Sequence, residues 1–228
     1  MSLLKIKLIL LLLAISFSLS AQQIPDGFVY LKEEIPSLLI NLRYASSENF
    51  TGKIVPGYNS SKAIGTKELA TALKKVQAKL KDNGLGLKIF DAYRPQSAVN
   101  SFMSWSESYS DTLRKQEYYP NINKKSLFEL GYIAEKSGHT RGSTVDITLI
   151  HLVGINKGKE LDMGGNWDFF GERSHFNFTK ITPEQKQNRE LLQKVMTREG
   201  FSPYKKEWWH FSLKNEPFPE TYFDFTEY

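Results

Sequence analysis

Ser137-Gly138-His139-Thr140-Arg141-Gly142-Ser143-Thr144-Val145-Asp146-Ile147-Thr148-Leu149 is the stretch on which the reading of this chain turns. Its second half alternates. Val145, Ile147 and Leu149 oppose Thr144, Asp146 and Thr148, the period of a half-buried β-strand. Its first half carries His139 seven residues before Asp146, with Gly142 between them to let the chain fold back. A carboxylate on an apolar strand either faces solvent or, if its face is buried, needs a cation, a metal or several donors. His139 alone reads equally well as a surface loop histidine.

A second segment, Glu207-Trp208-Trp209-His210, adds a glutamate and another histidine. His139, Asp146 and His210 can hold a zinc ion and leave its fourth position open, and Glu207 can move a proton. That is the equipment for hydrolysing an amide bond with a metal-activated water. Glu207 and His210 are three residues apart, on one face of a helix but on opposite faces of a strand. The aromatic composition of 207–213 predicts a strand, so the segment has to bend at its start for both to reach one site. Trp208 and Trp209 read as core or pocket wall.

Working outward, Leu38, Ile40, Leu42 and Tyr44 alternate as one strand face. Asn49 to Ser61, rich in Gly, Asn and Ser, reads as a loop. Thr66 to Asn83 is predicted as a helix capped by Thr66, with Leu69, Leu73, Val76 and Leu80 on one face and Gly84 at its end. Leu87 to Asp91 reads as a strand. Pro95 is placed as the first residue of a second helix that reaches at least Met103. Thr182-Pro183-Glu184-Gln185 is a capping box that opens a helix to Glu199. Helices and strands mix without β-α-β alternation. The expected fold is therefore α+β, a small, mainly antiparallel sheet flanked by helices, with the zinc site on the sheet.

The 228-residue chain begins with Lys5 and Lys7, an apolar run from Leu8 to Phe17, and small residues at Leu19-Ser20-Ala21. This is the pattern of a secretory signal over residues 1–21. An almost wholly apolar run of about ten residues falls short of the ~20 that span a bilayer, so no stable membrane span is expected after cleavage. Residues 22–228 then form a single domain, exported to the periplasm or beyond. Loss of the two lysines takes the net charge from +5 to +3, spread without an arginine-rich stripe, which argues against nucleic-acid binding. There is no cysteine. The domain folds without disulfides, and thiol catalysis is excluded. Gly84-Leu85-Gly86 lacks a third glycine and precedes a strand, so it is no dinucleotide loop. Neither a Gly-x-Ser-x-Gly elbow nor a His-Glu-x-x-His helix occurs.

The pattern Ser137-x-His139-x-x-Gly142-x-x-x-Asp146 followed by Glu207-x-Trp209-His210 resembles the zinc peptidases that cleave D-alanyl-D-alanine bonds. The likeness is closest to the D-Ala-D-Ala dipeptidases known from vancomycin resistance. It extends through Tyr44-Ala45, Asn49-Phe50-Thr51-Gly52, Asp91-Ala92-Tyr93-Arg94-Pro95, Tyr118-Tyr119-Pro120-Asn121, Met163-Gly164, Asp168-Phe169-Phe170, Glu172-Arg173-Ser174-His175 and Tyr222-Phe223-Asp224-Phe225. The resemblance implies one zinc ion on His139, Asp146 and His210, with Glu207 as general base. It places Arg94 beside the scissile carbonyl, where a fixed cation stabilises the developing oxyanion. Read by itself, Arg94 could equally be a surface partner of Asp91. The resemblance also implies that Asp168 and Ser137 hold the substrate's amino end and that Tyr44 lines the site. Phe169, Phe170 and Trp208 are candidates to wall the methyl-sized subsites, or else core. His175 is expected to make a structural hydrogen bond, and His151 to face solvent.

The activity implied is hydrolysis of the D-alanyl-D-alanine dipeptide. The signal segment points to turnover of cell-wall peptides instead of resistance. Two other functions compete: a zinc D,D-carboxypeptidase or endopeptidase acting on longer wall peptides, and a non-catalytic wall-binding domain that keeps zinc for structure.

Overall fold

Residues 24–226 are described in the computed structural model; the signal segment read at 1–21 lies outside them. The molecule is built on a five-stranded sheet in the order β2-β4-β5-β7-β6. Its strands are β2 (Leu39–Ile40), β4 (Leu85–Asp91), β5 (Thr144–His151), β6 (Phe201–Pro203) and β7 (His210–Leu213). β2 runs parallel to β4, and every other pairing in this sheet is antiparallel. A separate antiparallel pair joins β1 (Phe28–Tyr30) to β3 (Ile64–Thr66). The helices are α1 (Leu31–Glu34), α2 (Lys67–Lys81), α3 (Gln96–Glu107), α4 (Lys115–Tyr118) and α5 (Pro183–Arg198). This is the expected α+β architecture. None of the described helices is long and apolar enough to cross a membrane.

Local chemistry explains the helix ends. The Thr66 side chain accepts from the Leu69 N–H at 3.2 Å, and Gly84 closes the far end of α2 at φ +68°. The capping box at α5 is complete: Thr182 accepts from Gln185 N–H, and the Gln185 side chain accepts from Thr182 N–H. Pro95 occupies the N-cap of α3 and not its first turn, and the helix runs four residues past Met103.

Two expectations change. The strand face read at 38–44 shrinks to Leu39–Ile40, and Arg43–Ala45 tightens into a 3-10 turn. Leu38, Leu42 and Tyr44 are nonetheless buried, so the alternation marked the core correctly while the chain turned to deliver Tyr44 elsewhere. β5 is not half-buried. Thr144, Asp146 and Thr148 are as deeply buried as Val145, Ile147 and Leu149. Both faces of the central strand are covered.

The main core packs Leu69, Leu73, Val76 and Leu80 of α2 and Leu192 and Met196 of α5 with the sheet residues Leu87, Ile89, Val145 and Ile147. At 25–30 cal/mol per Å², each such aliphatic side chain contributes about 1.5–3 kcal/mol. A smaller cluster sits where the tail returns. Phe28, Ile64 and Tyr93 pack with Phe218, Phe223 and Phe225, and Tyr93 stacks on Phe225 at 4.0 Å.

Candidate active site

Three strands bring three acceptors into one row. In the sheet register Asp91 of β4 faces Asp146 of β5, and Asp146 faces His210 of β7. A register shift between Ile89 and Asp91 re-aims the end of β4, a common use of bulges beside functional sites. His139 arrives from the 3-10 turn Gly138–Arg141, whose N-cap is Ser137, with the Ser137 Oγ accepting from the His139 N–H at 3.3 Å. Gly142 ends that turn at φ +81°. A β-carbon there would lie 2.2 Å from the Phe28 ring, so only glycine fits. The reversal that joins His139 to β5 depends on it.

His139 Nε2, Asp146 Oδ1 and His210 Nδ1 form a triangle with edges of 3.2, 3.1 and 3.3 Å. Ligand atoms about 2.0–2.1 Å from a tetrahedral zinc stand ~3.3 Å apart, so the spacing fits. The donor chemistry fits as well. His139 Nδ1 lies 2.8 Å from the Ala92 carbonyl, which requires the proton on Nδ1 and leaves the Nε2 lone pair facing Asp146 and His210. Three acceptors converging on one point, two of them buried and the third partly so, call for a cation. Burial alone would raise the Asp146 carboxyl, but His139 and then His210 outweigh it and hold it below the usual carboxylate range. His210 shifts upward: burial opposes its charge, and Asp146 more than compensates. The second oxygen of Asp146 is occupied separately. Oδ2 accepts from the Trp167 indole N–H at 3.2 Å and lies 4.0 Å from the Arg94 guanidinium.

Glu207 stands 3.4 Å from His210 Nδ1 through Oε2. The expected strand over 207–213 begins only at His210. Glu207 sits in the preceding turn, closed by the His210 N–H donating to the Glu207 carbonyl at 3.3 Å. That bend puts both side chains on one site. Burial is the main reason the Glu207 carboxyl is raised to about 7; His210 pulls it down and Asp146 adds to the rise. A carboxylate tuned near neutrality suits proton transfer at physiological pH.

Arg94 lies just beyond β4, its backbone N–H tied to the His139 carbonyl at 3.3 Å. Its guanidinium donates twice to Asp91 Oδ2, at 2.9 and 2.7 Å. The partnership with Asp91 is therefore real, but it lies inside the cleft, with Asp91 fully buried and Arg94 partly so. Asp91 Oδ1 accepts from the Tyr58 hydroxyl at 2.6 Å. Desolvation opposes the Arg94 charge, and Asp91 outweighs it, so the cation is permanent.

At the inner end Tyr44 donates to Asp168 Oδ2 at 2.7 Å. Asp168 is 8% exposed, and among the described residues it is the one non-glycine at positive φ, +64°. A turn residue and a buried acid are here the same residue. Burial raises its carboxyl well above the ordinary range, more than the Tyr44 hydrogen bond lowers it. Tyr44, Arg94, Ser137, His139, Asp146, Asp168, Glu207 and His210 thus all line one cleft of about 320 Å³.

Of the two readings given for the aromatic residues, core holds for Phe170 and Trp208. Phe50, Phe102 and Tyr132 line the cleft, whereas Phe170 and Trp208 are core and Phe169 does not reach it. Among the described residues His175 has no side-chain hydrogen-bond partner: its Nε2 is buried without one, and only its backbone is bonded. His151, at the end of β5, is partly exposed. Sequence reasoning missed Tyr58 and the Trp167 indole. Asp91 was visible only as a possible partner of Arg94.

Comparison with known proteins identifies the family. Residues 25–228 match the family model described as D-ala-D-ala dipeptidase, Peptidase_M15. A D-alanyl-D-alanine dipeptidase of Enterococcus faecalis is 44% identical over 200 residues, 88% of this chain and 98% of that protein. Those of Enterococcus faecium and Escherichia coli are 42% and 35% identical, over 87% and 78% of this chain and 97% and 80% of theirs. A solved vancomycin resistance D,D-pentapeptidase in complex with Zn(II) aligns only loosely, at a TM-score of 0.41 and 14% identity over 68% of this chain and 76% of that one. The chain is an enzyme and belongs to the D-Ala-D-Ala dipeptidase family of M15 peptidases.

Proposed function

We propose that this chain is a zinc-dependent dipeptidase that hydrolyses free D-alanyl-D-alanine. The observation that carries the reading is the triangle of His139 Nε2, Asp146 Oδ1 and His210 Nδ1 with the Glu207 carboxylate beside it. Zinc, when bound by those three residues, supplies a water acidified to a pKa of about 7 and a Lewis acid for the scissile carbonyl. Glu207 takes the proton from the attacking water and returns it to the leaving amine. Arg94, locked on Asp91, donates to the oxyanion that develops on the carbonyl. Because Asp91 and Tyr58 fix it beforehand, no reorganisation is needed as charge develops.

Asp168, with Tyr44 donating to it and Ser137 further along the wall, holds the substrate's ammonium. The charge lies at the buried end of the cleft. A peptide lengthened at its amino end would have to pass through Tyr44, Asp168 and the core behind them. This supports a dipeptide over the longer wall peptides of a carboxypeptidase. A purely structural zinc domain has no use for Glu207 or for an Arg94 oriented inside the cleft.

We further propose that residues 22–228 form the mature single domain, exported after removal of 1–21, and that it turns over cell-wall peptides. N-terminal sequencing of the mature protein tests this. A start near Gln22 supports export, and an uncut Met1 in the cytoplasm removes its basis.

The mechanism is tested with Glu207→Gln. The variant is expected to bind zinc stoichiometrically and to lose roughly 10²–10⁴-fold in kcat. Unchanged turnover with zinc in place would sink the assignment of Glu207.

A further inference from the structure

The charges lining the cleft do not balance a zwitterionic dipeptide until one residue outside the proposed mechanism is counted. Arg94 is engaged twice by Asp91. Asp168 places a carboxyl at the buried end that can serve as the counter-charge of an arriving ammonium. A substrate carboxylate needs a cation that is not already paired. Lys136 lines the same cleft, is exposed, and has no carboxylate within ion-pair distance among the described residues. Its ammonium rests 4.9 Å from the centre of the Tyr222 ring.

The surroundings of Lys136 are anchored. Tyr222 accepts from Arg141 at 3.4 Å, and Arg141 is bound to both oxygens of Glu216 at 2.8 Å. The preceding carbonyl, of Glu135, accepts from the Gln96 side chain at 3.0 Å. Ser137, the next residue, caps the His139 turn. A flexible ammonium therefore stands on a fixed base, one residue from the turn that delivers His139.

We infer that Lys136 is the specificity residue that reads the substrate's free carboxylate, a role that rests on the dipeptidase reading above. Asp168 inside and Lys136 at the mouth give the cleft a polarity. The ammonium enters first, the scissile amide stops at His139, Asp146 and His210, and the carboxylate stays at the rim. The inner end limits length by closure, and the outer end selects by charge. The outer selection is the weaker of the two, because a rim charge is screened by water.

The test compares D-Ala-D-Ala with D-alanyl-D-alaninamide, which keeps the scissile bond and loses the carboxylate. D-Alanine release is measured on the zinc-loaded enzyme and its Lys136→Gln and Lys136→Arg variants. Lys136→Gln is expected to cut the acid-over-amide preference in kcat/KM roughly two- to fivefold, through KM for the acid. Lys136→Arg is expected to restore it. An unchanged preference in Lys136→Gln overturns the inference, as does an equal loss on both substrates, which marks a structural role. A wild-type enzyme that cleaves neither substrate would overturn the dipeptidase reading itself, and that result is seen before any variant is made.

Discussion

Asp168→Asn isolates one charge. Asp168 sits at φ +64°, a left-handed backbone that asparagine accepts, whereas it costs most side chains ~1–2 kcal/mol. The asparagine carbonyl oxygen can still accept from the Tyr44 hydroxyl, now 2.7 Å from Oδ2. Only the negative charge is removed. A hydrogen bond to a charged group is worth about 1.5–3 kcal/mol, or roughly 10–150-fold in affinity. The full range is not available here. Burial raises the Asp168 carboxyl well above its ordinary range, and this bias toward the neutral form consumes part of the gain. We expect KM for D-Ala-D-Ala to rise about 10–30-fold with kcat changed far less.

The pH dependence has a definite sign. Below the raised Asp168 pKa the carboxyl is neutral and binds the ammonium weakly, so the wild-type KM falls as pH rises through it. Above about 8, where an α-amino group loses its own proton, KM rises again. The asparagine variant should lose the acid limb and keep the alkaline one. The assay is D-alanine release across pH, run beside propionyl-D-alanine, which has hydrogen where the substrate has its amine. Wild type should strongly prefer the amine, and the variant should prefer it little. A variant with an unchanged KM, an unchanged acid limb and an unchanged preference refutes the assignment of Asp168.

Other outcomes follow from the same contacts. Arg94→Met should lower kcat/KM about 10²–10³-fold and also destabilise the fold by about 3–5 kcal/mol, since fully buried Asp91 loses its counter-charge; denaturant titration reads the second effect. Trp167→Phe removes the indole donor to Asp146 Oδ2 and should weaken zinc binding roughly 10–100-fold, measured by competition with a chelating dye. An affinity equal to wild type would show that Asp146 is oriented without it. Gly142→Ala forces a β-carbon against Phe28 at φ +81° and should cost at least ~1–2 kcal/mol of stability, with loss of zinc affinity as the His139 turn shifts. An unaltered melting temperature would contradict the role given to that turn.

The sheet was legible because its signals are local, and His139, Asp146 and His210 were grouped as candidate ligands through the family resemblance. The alternation through Val145, Ile147 and Leu149 specified β5, Thr66 and Thr182 announced their helices, and Gly142 marked the reversal that returns His139. What the sequence withheld was tertiary. Alternation at 38–44 reports burial, not pairing, so it could not foresee that Arg43–Ala45 coils to aim Tyr44 at Asp168. Nor could the period of β5 reveal that its polar face is also covered. Whether Glu207 and His210 share a site hinged on where the strand starts, which a turn hydrogen bond decides. Tyr58 and the Trp167 indole reach the centre from loops 33 and 21 residues away from the carboxylates they hold. No spacing rule in the sequence encodes those contacts.

The central claim is tested most directly by offering the purified, zinc-loaded mature chain three substrates and measuring amine release: D-Ala-D-Ala, a tripeptide ending in D-Ala-D-Ala, and L-Ala-L-Ala. Rapid cleavage of the D,D-dipeptide with the other two left intact is the predicted result. Cleavage of the tripeptide in its place would contradict the closed inner end and make the chain a wall-peptide carboxypeptidase, and silence on all three would mark a binding protein.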